Sequence, residues 1–187
     1  MVGFALCIGR LHPAWIVVCT AIALLFNLIF LKKISRGRLE IPEDKALGYS
    51  PGMLWYPGSL LLLSVVFYTD QVYMAIGWGA MAFGDAAASL AGRRVKGPAL
   101  PWNGSKTWVG LLAFWLFGIP LTFGLLALLP ASPGGQVASP FFEVAVAAAI
   151  AMSGVVETLP VKINDNVGVP FVAAGGAWLM SFIFTFF

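Results

Sequence analysis

Asp85, Glu157, Asp165 and Asn166 are polar residues in or beside long apolar stretches. An aspartate at the centre of a membrane helix costs at least ~2.5–3.5 kcal/mol on insertion scales, and it persists where it faces a cavity, a partner or an ion. Asp85 falls about two helical turns before the end of the apolar stretch Val72–Gly92. Glu157 falls about one turn before the end of Phe141–Val161, and Asp165 and Asn166 occupy the link after it. Basic residues lie close by: Arg93, Arg94 and Lys96 come after Asp85, and Lys106 opens the next apolar stretch. Carboxylates suit a divalent cation, and guanidinium and ammonium groups suit phosphates. Magnesium prefers one or two carboxylates completed by phosphate oxygens and water.

The local spacing sharpens this reading and leaves plainer ones beside it. Asp85, Ala88, Ser89 and Gly92 stand at i, i+3, i+4 and i+7 and share one helix face. A face that small admits another helix or a bulky ligand, although packing around one buried acid would explain it too. Gly92 and Gly97 bracket the basic run, where glycine permits close approach of backbone to ligand. Lys106 comes after turn chemistry, Pro101-Trp102-Asn103-Gly104-Ser105, and with Thr107 begins a helix. A lysine and a hydroxyl there suit phosphate; a snorkelling lysine is the alternative. Asp165 or Asn166 could equally cap the next helix. Glu143 lacks such neighbours, and His12 beside Pro13 reads as a boundary residue. Cys7 and Cys19 read as small core residues, with no disulfide expected. The sequence contains no Gly-x-x-x-x-Gly-Lys-Ser/Thr, which excludes a P-loop.

The elements that must position these groups are set by composition. Hydrophobic residues make up 60% of 187 positions, charged residues 10%, and the mean hydropathy is +0.91. A soluble globule cannot hide that much apolar surface, and disorder needs the opposite composition. The net charge of +3 sits in short connections, so no nucleic-acid partner is expected. The fold class is all-α: a polytopic transmembrane helical bundle forming a single integral membrane domain over 1–187. Six windows suit a span of about 20 residues: Pro13–Leu31, Gly52–Tyr68, Val72–Gly92, Thr107–Leu129, Phe141–Val161 and Val167–Phe187. Val2–Ile8 is too short to cross and reads as part of a helix whose beginning is missing. Connections 32–50, 93–106 and 162–166 fall on one side and hold ten of the eleven Lys and Arg residues. That bias marks the cytoplasmic side, as in a prokaryotic inner membrane or its equivalent. Tyr68, Tyr73, Trp102 and Trp108 sit near span ends and read as interfacial anchors.

Three segments resemble a known family. They are Gly84-Asp85-Ala86-Ala87-Ala88-Ser89-Leu90-Ala91-Gly92-Arg93-Arg94 with Lys96-Gly97, then Leu100 to Gly110, then Val156-Glu157-Thr158-Leu159-Pro160 with Asn164 to Pro170. In order and spacing they resemble the phytol kinase and dolichol kinase family, CTP-dependent kinases of membrane isoprenoid alcohols. The resemblance runs from about residue 10 to the end of the chain. It implies transfer of a terminal phosphate, usually from CTP and with magnesium, to a lipid hydroxyl. It places Asp85, Lys106, Glu157, Asp165 and Asn166 on motif positions, and Gly92, Arg93 and Arg94 on a Gly-basic turn. Two departures stand out. The family's Arg-Lys and His before the first span have no counterpart after Met1, and Val109 stands where dolichol-type members tend to carry an acid, which leans toward the phytol type.

Phosphoryl transfer needs alignment and charge neutralisation more than covalent help. Asp85, Asp165 and Glu157 are the candidate metal ligands. Gly92, Arg93, Arg94, Lys96, Lys106 and Asn166 are the candidate nucleotide-binding residues. Asp85, Glu157 and Lys106 are the candidate catalytic residues, with Glu157 the expected proton acceptor or else a metal ligand. The acceptor would be an isoprenoid lipid alcohol such as phytol, geranylgeraniol or a polyprenol. Rival readings are a CDP-lipid-forming cytidylyltransferase, a CTP-dependent diacylglycerol kinase and an ion-coupled membrane carrier. Nothing in the sequence reads on oligomeric state.

Overall fold

The computed structural model describes residues 7–8, 10–31, 51–95, 97–130, 140–161 and 163–184. Within them the apolar stretches fold as helical rods close to the expected bounds. Helix α1 spans Pro13–Phe26 and continues as a π-helical turn over Asn27–Leu31; α2 spans Pro51–Val66. The third rod is α3, Gln71–Gly79, a π-helical stretch over Ala80–Asp85, and α4, Ala86–Arg94. Helices α5 (Trp108–Leu128), α6 (Pro140–Thr158) and α7 (Asp165–Phe184) complete the bundle. Among the described residues four helices, Pro13–Phe30, Trp108–Leu128, Phe141–Thr158 and Asp165–Phe184, are long and apolar enough to cross a membrane, and Leu54–Val66 is a shorter apolar helix. The molecule is an all-α membrane-type bundle. The segment before residue 7, where a partial helix was expected, lies outside the described residues, as does the whole of connection 32–50.

Helix α3 is the core element. All nine of its residues are buried, with Tyr73, Met74, Ile76 and Trp78 among the largest side chains. Helix α1 lies at the rim: Trp15, Ile22 and Leu25 are all more than half exposed, as suits a lipid-facing rod. Small residues set how closely the rods approach. A Cβ on Gly77 would come 2.6 Å from the Pro170 carbonyl oxygen of α7, and one on Gly84 would come 2.7 Å from the Phe114 ring of α5. Those approaches need glycine, in keeping with small residues at membrane helix interfaces.

Two features depart from the sequence reading. Tyr73 is 2% exposed and packs against Phe67 and Phe142, with ring centroids at 5.5 and 6.4 Å. It is a core residue, not an interfacial anchor, because α3 is enclosed on all sides. The turn before α5 is the loop of a small antiparallel hairpin, β1 (Ala99–Leu100) with β2 (Asn103–Thr107), pairing Ala99 with Thr107 and Leu100 with Asn103 across an irregularity. Its few residues lack the alternating apolar pattern that reveals a strand.

Candidate active site

Three rods and the hairpin deliver charged groups to one end of the bundle. Asp85 is the last residue of the π-helical stretch in the third rod. A π-bulge adds a residue to a turn and re-aims the side chains beyond it, and such bulges gather at functional sites. Glu157 comes from the last turn of α6, which stops at Thr158 ahead of Pro160. Asp165 is the first residue of α7. One carboxylate oxygen from each of Asp85, Glu157 and Asp165 lies within 4.8 Å of the others.

Lys106 enters this cluster from β2. Its Nζ donates to Glu157 Oε1 at 2.5 Å and to Asp165 Oδ2 at 2.8 Å. The Glu157 side chain is 3% exposed, whereas Lys106 is 28% and Asp165 42% exposed, so the cluster opens from the Asp165 side. Burial alone would lower the lysine pKa. The hydrogen bonds and charges of Asp165 and Glu157 outweigh it, leaving Lys106 above the usual lysine value. Lys106 is therefore a fixed cation and no proton acceptor near neutral pH.

The hairpin is tied to α6 by contacts the sequence did not reveal. Trp102 Nε1 donates to Thr158 Oγ1 at 3.1 Å, and Asn103 Nδ2 donates to the Thr158 carbonyl at 3.0 Å. Asn103 Oδ1 accepts from Ser105 N at 3.1 Å and Ser105 Oγ at 2.7 Å, closing the turn. These bonds set β2, and with it Lys106, against the end of α6. The helix start at Asp165 is held by Asn164, whose Oδ1 accepts from Asn166 N at 3.0 Å. Asn164 does the capping expected of Asp165 or Asn166, which leaves the Asp165 carboxylate to Lys106. An Asn-x-x start was legible as a capping signal; the pairing of Asn103 with a carbonyl 55 residues away was not.

A cavity of about 260 Å³ adjoins the cluster. Its walls are the small face of α4 (Ala88, Ser89, Gly92), Arg93, the hairpin residues Ser105, Lys106 and Thr107, and Glu157 with Thr158. Arg93 Nε donates to the Ser89 carbonyl at 2.9 Å, folding its side chain along this wall. Thr107 caps α5, its Oγ1 accepting from Gly110 N at 3.1 Å. Of the expected nucleotide-binding residues, Gly92, Arg93 and Lys106 line this cavity. Arg94 does not: it lies along a separate apolar groove beside Ala87, Leu90 and Phe117. A helix turns about 100° per residue, so adjacent arginines cannot serve one narrow pocket equally. Asn166 is directed toward α2, its Nδ2 lying 3.7 Å from where a Gly52 Cβ would be. Lys96 falls outside the described residues.

The donor set suits a hard divalent cation. An octahedral magnesium site, with oxygens at about 2.1 Å from the metal, sets its ligands about 3–4 Å apart. The carboxylates of Asp85, Glu157 and Asp165 already approach that spacing.

Comparison with known proteins yields plant relatives. The chain is 26% identical over 155 residues to phytol kinase 1, chloroplastic, of Arabidopsis thaliana, covering 82% of this chain and 49% of that protein. It is 32% identical over 137 residues to a probable phytol kinase, chloroplastic, of Triticum aestivum, covering 69% and 44%. It is 30% identical over 147 residues to probable phytol kinase 2, chloroplastic, of Glycine max, covering 76% and 49%. The chain thus spans about half the length of the curated relatives it matches. No protein-family model and no solved structure matches it.

Proposed function

Because the chain belongs to the phytol kinase and polyprenol kinase family, we propose that it transfers the terminal phosphate of a nucleoside triphosphate to the hydroxyl of a membrane isoprenoid alcohol. Phytol is the first candidate acceptor, given the names of the relatives; geranylgeraniol and polyprenols share its allylic or primary alcohol on an apolar tail. CTP is the donor we favour, on the resemblance of the Asp85, Lys106 and Glu157 segments. The observation that carries the proposal is the meeting of Asp85, Glu157 and Asp165 around Lys106 beside a polar cavity.

The division of labour depends on which acid already has a partner. Glu157 and Asp165 are held by Lys106, and an acid paired with an ammonium is a weak proton acceptor. We assign these two to the divalent cation, magnesium by preference, which when bound would neutralise phosphate charge. Asp85 forms no ion pair among the described residues, so we assign it the proton of the attacking hydroxyl. This reverses the sequence expectation for Asp85 and Glu157 and rests on the lysine contacts. Lys106 and Arg93 face the cavity and would steady the triphosphate, with Gly92 leaving room for it.

The apolar helices make this a membrane protein, and we place the site on the side that carries Arg93, Arg94 and Lys106, cytoplasmic or its organellar equivalent. The relatives are named chloroplastic, so they lend no support to a prokaryotic inner membrane in particular. The purified chain, given phytol, geranylgeraniol and polyprenols with γ-labelled CTP or ATP, tests the reading. A labelled lipid phosphate and a nucleoside diphosphate are expected. Release of pyrophosphate would make it a cytidylyltransferase instead.

A further inference from the structure

The two arginines at the end of α4 part company. Arg93 folds back onto the Ser89 carbonyl along the polar cavity. Arg94 stands at the end of a groove of about 310 Å³ lined by Ala87, Leu90, Ala91, Val95 and Phe117. Residues 87, 90, 91 and 94 form one stripe of α4, opposite the stripe of 85, 88, 89 and 92 that faces the acids. The groove is apolar apart from Arg94. Leu90, Val95 and Phe117 are each about half exposed on its walls. Phe117 lies nine residues into α5, about 13 Å below its start, and half a bilayer core is about 15 Å. The groove therefore runs from the cationic end of the helix toward the middle of the bilayer.

We propose that this groove binds one anionic phospholipid of the surrounding bilayer, with its headgroup phosphate on Arg94 and an acyl chain along Leu90 and Phe117. Charge complementarity selects the occupant. Among the described residues Arg94 forms no ion pair, and the three clustered acids Asp85, Glu157 and Asp165 gather at the opposite stripe of the helix and do not compete for it. The apolar wall extends from Arg94 past Leu90 to Phe117, the course of an acyl chain below its headgroup. The site is separate from the cavity assigned to the triphosphate, and it stands whichever alcohol is phosphorylated.

The test uses the full chain in nanodiscs of phosphatidylcholine with a minority of phosphatidylglycerol, and counts lipids retained by native mass spectrometry. Arg94→Gln should lower retained phosphatidylglycerol about fivefold, the effect of one basic residue at a membrane surface. Arg94→Lys should restore most of it. Ala91→Phe, which fills the groove and keeps the charge, should also lower retention. Arg93→Gln should leave retention near that of the unmodified chain. Unchanged retention in Arg94→Gln overturns the proposal. Equal loss in Arg93→Gln overturns it as well, since the effect would then be diffuse surface charge. Full retention in Ala91→Phe would remove the groove from it.

Discussion

The two ends of the bundle carry similar residue types and use them differently. At one end, Asp70 precedes α3 and Glu143 lies in the first turn of α6. Both acids sit at helix starts, where the helix dipole favours negative charge. Asp70 accepts from Thr69 Oγ1 at 2.9 Å, Glu143 is exposed, and Arg10 donates to the Leu128 carbonyl at 3.3 Å. Both acids are settled locally, by their helix starts and, for Asp70, by the adjacent threonine. At the other end, Asp165 begins a helix, but Glu157 occupies the last turn of α6 and Asp85 stands within a continuous rod. The dipole opposes an acid at a helix C-terminus, and burial adds to the cost. Lys106 compensates Glu157, and the hairpin that carries Lys106 is bonded to α6 at Thr158. Acids placed against local preference and compensated from a distance mark a site; acids placed with it mark helix ends.

The comparison breaks hardest at Asp85. Asp85→Asn should lower turnover by about 10⁴, the upper range for a lost general base, while the protein still inserts, because removing a span charge eases insertion. Product formation within tenfold of the unmodified chain would reduce Asp85 to packing. Glu157→Gln would then inherit the larger loss and the role of base.

Lys106→Met should come next. Loss of one well-placed contact to the transferring phosphate costs about 10²–10³ in rate. The loss should appear with every alcohol, and CTP binding measured without alcohol should weaken. A change confined to alcohol choice would move Lys106 to the lipid side. The lysine also fixes a pH expectation. Its pKa is raised in the folded protein, so its stabilising contribution is fully present below the unfolded value, about 10.4. That contribution is lost only as pH rises through the higher folded value. Titrating from pH 7 to 10 should therefore leave the Lys106 contacts intact, as an infrared carboxylate signature would report.

A smaller effect belongs to the scaffold. Asn103→Ala removes the bond to the Thr158 carbonyl and the closure of the turn. Lys106 would keep its charge and lose its placement, for about a fivefold loss, as one neutral hydrogen bond of about 1 kcal/mol implies. Asn103→Asp, which retains the acceptor for Ser105 but not the donor, should fall between. Equal activity in both variants and the unmodified chain would mean that the Lys106 ion pairs hold the hairpin by themselves.

The helices were legible because each is a long apolar run ended by proline, charge or turn residues, and hydropathy reports those directly. The acids were legible because a carboxylate in such a run is conspicuous. Their convergence rests on which rods are neighbours, and that is fixed by Gly77 against Pro170 and Gly84 against Phe114, contacts between distant segments with no periodic signal. The π-helical stretch was hidden for the same reason: Ala80 to Asp85 reads as ordinary helix, and only packing shows the extra residue. Arg94 was grouped with Arg93 because sequence adjacency suggested shared duty, whereas helical rotation sets the two against different cavities.

The smallest expected effect is the control that gives the comparison meaning. Glu143→Gln and Asp70→Asn change charge at the quiet end of the bundle. Glu143 is exposed, so substitution there should stay within about 0.5 kcal/mol. Asp70 loses only a helix-start charge and one bond to the adjacent threonine, worth about 0.3–1 kcal/mol at such a position. Neither residue has a third acid nearby, since among the described residues the Asp85, Glu157 and Asp165 group is the cluster that brings three such ligands together. Both variants should therefore retain turnover within about twofold and show the unmodified dependence on magnesium concentration, with at most a small drop in thermal stability for Asp70→Asn. The magnesium titration matters more than the rate. If Glu143→Gln shifted the half-saturating magnesium concentration while Asp165→Asn did not, the cation would belong at the other end of the molecule. Local settlement of charge would then have been the wrong sign by which to tell the ends apart.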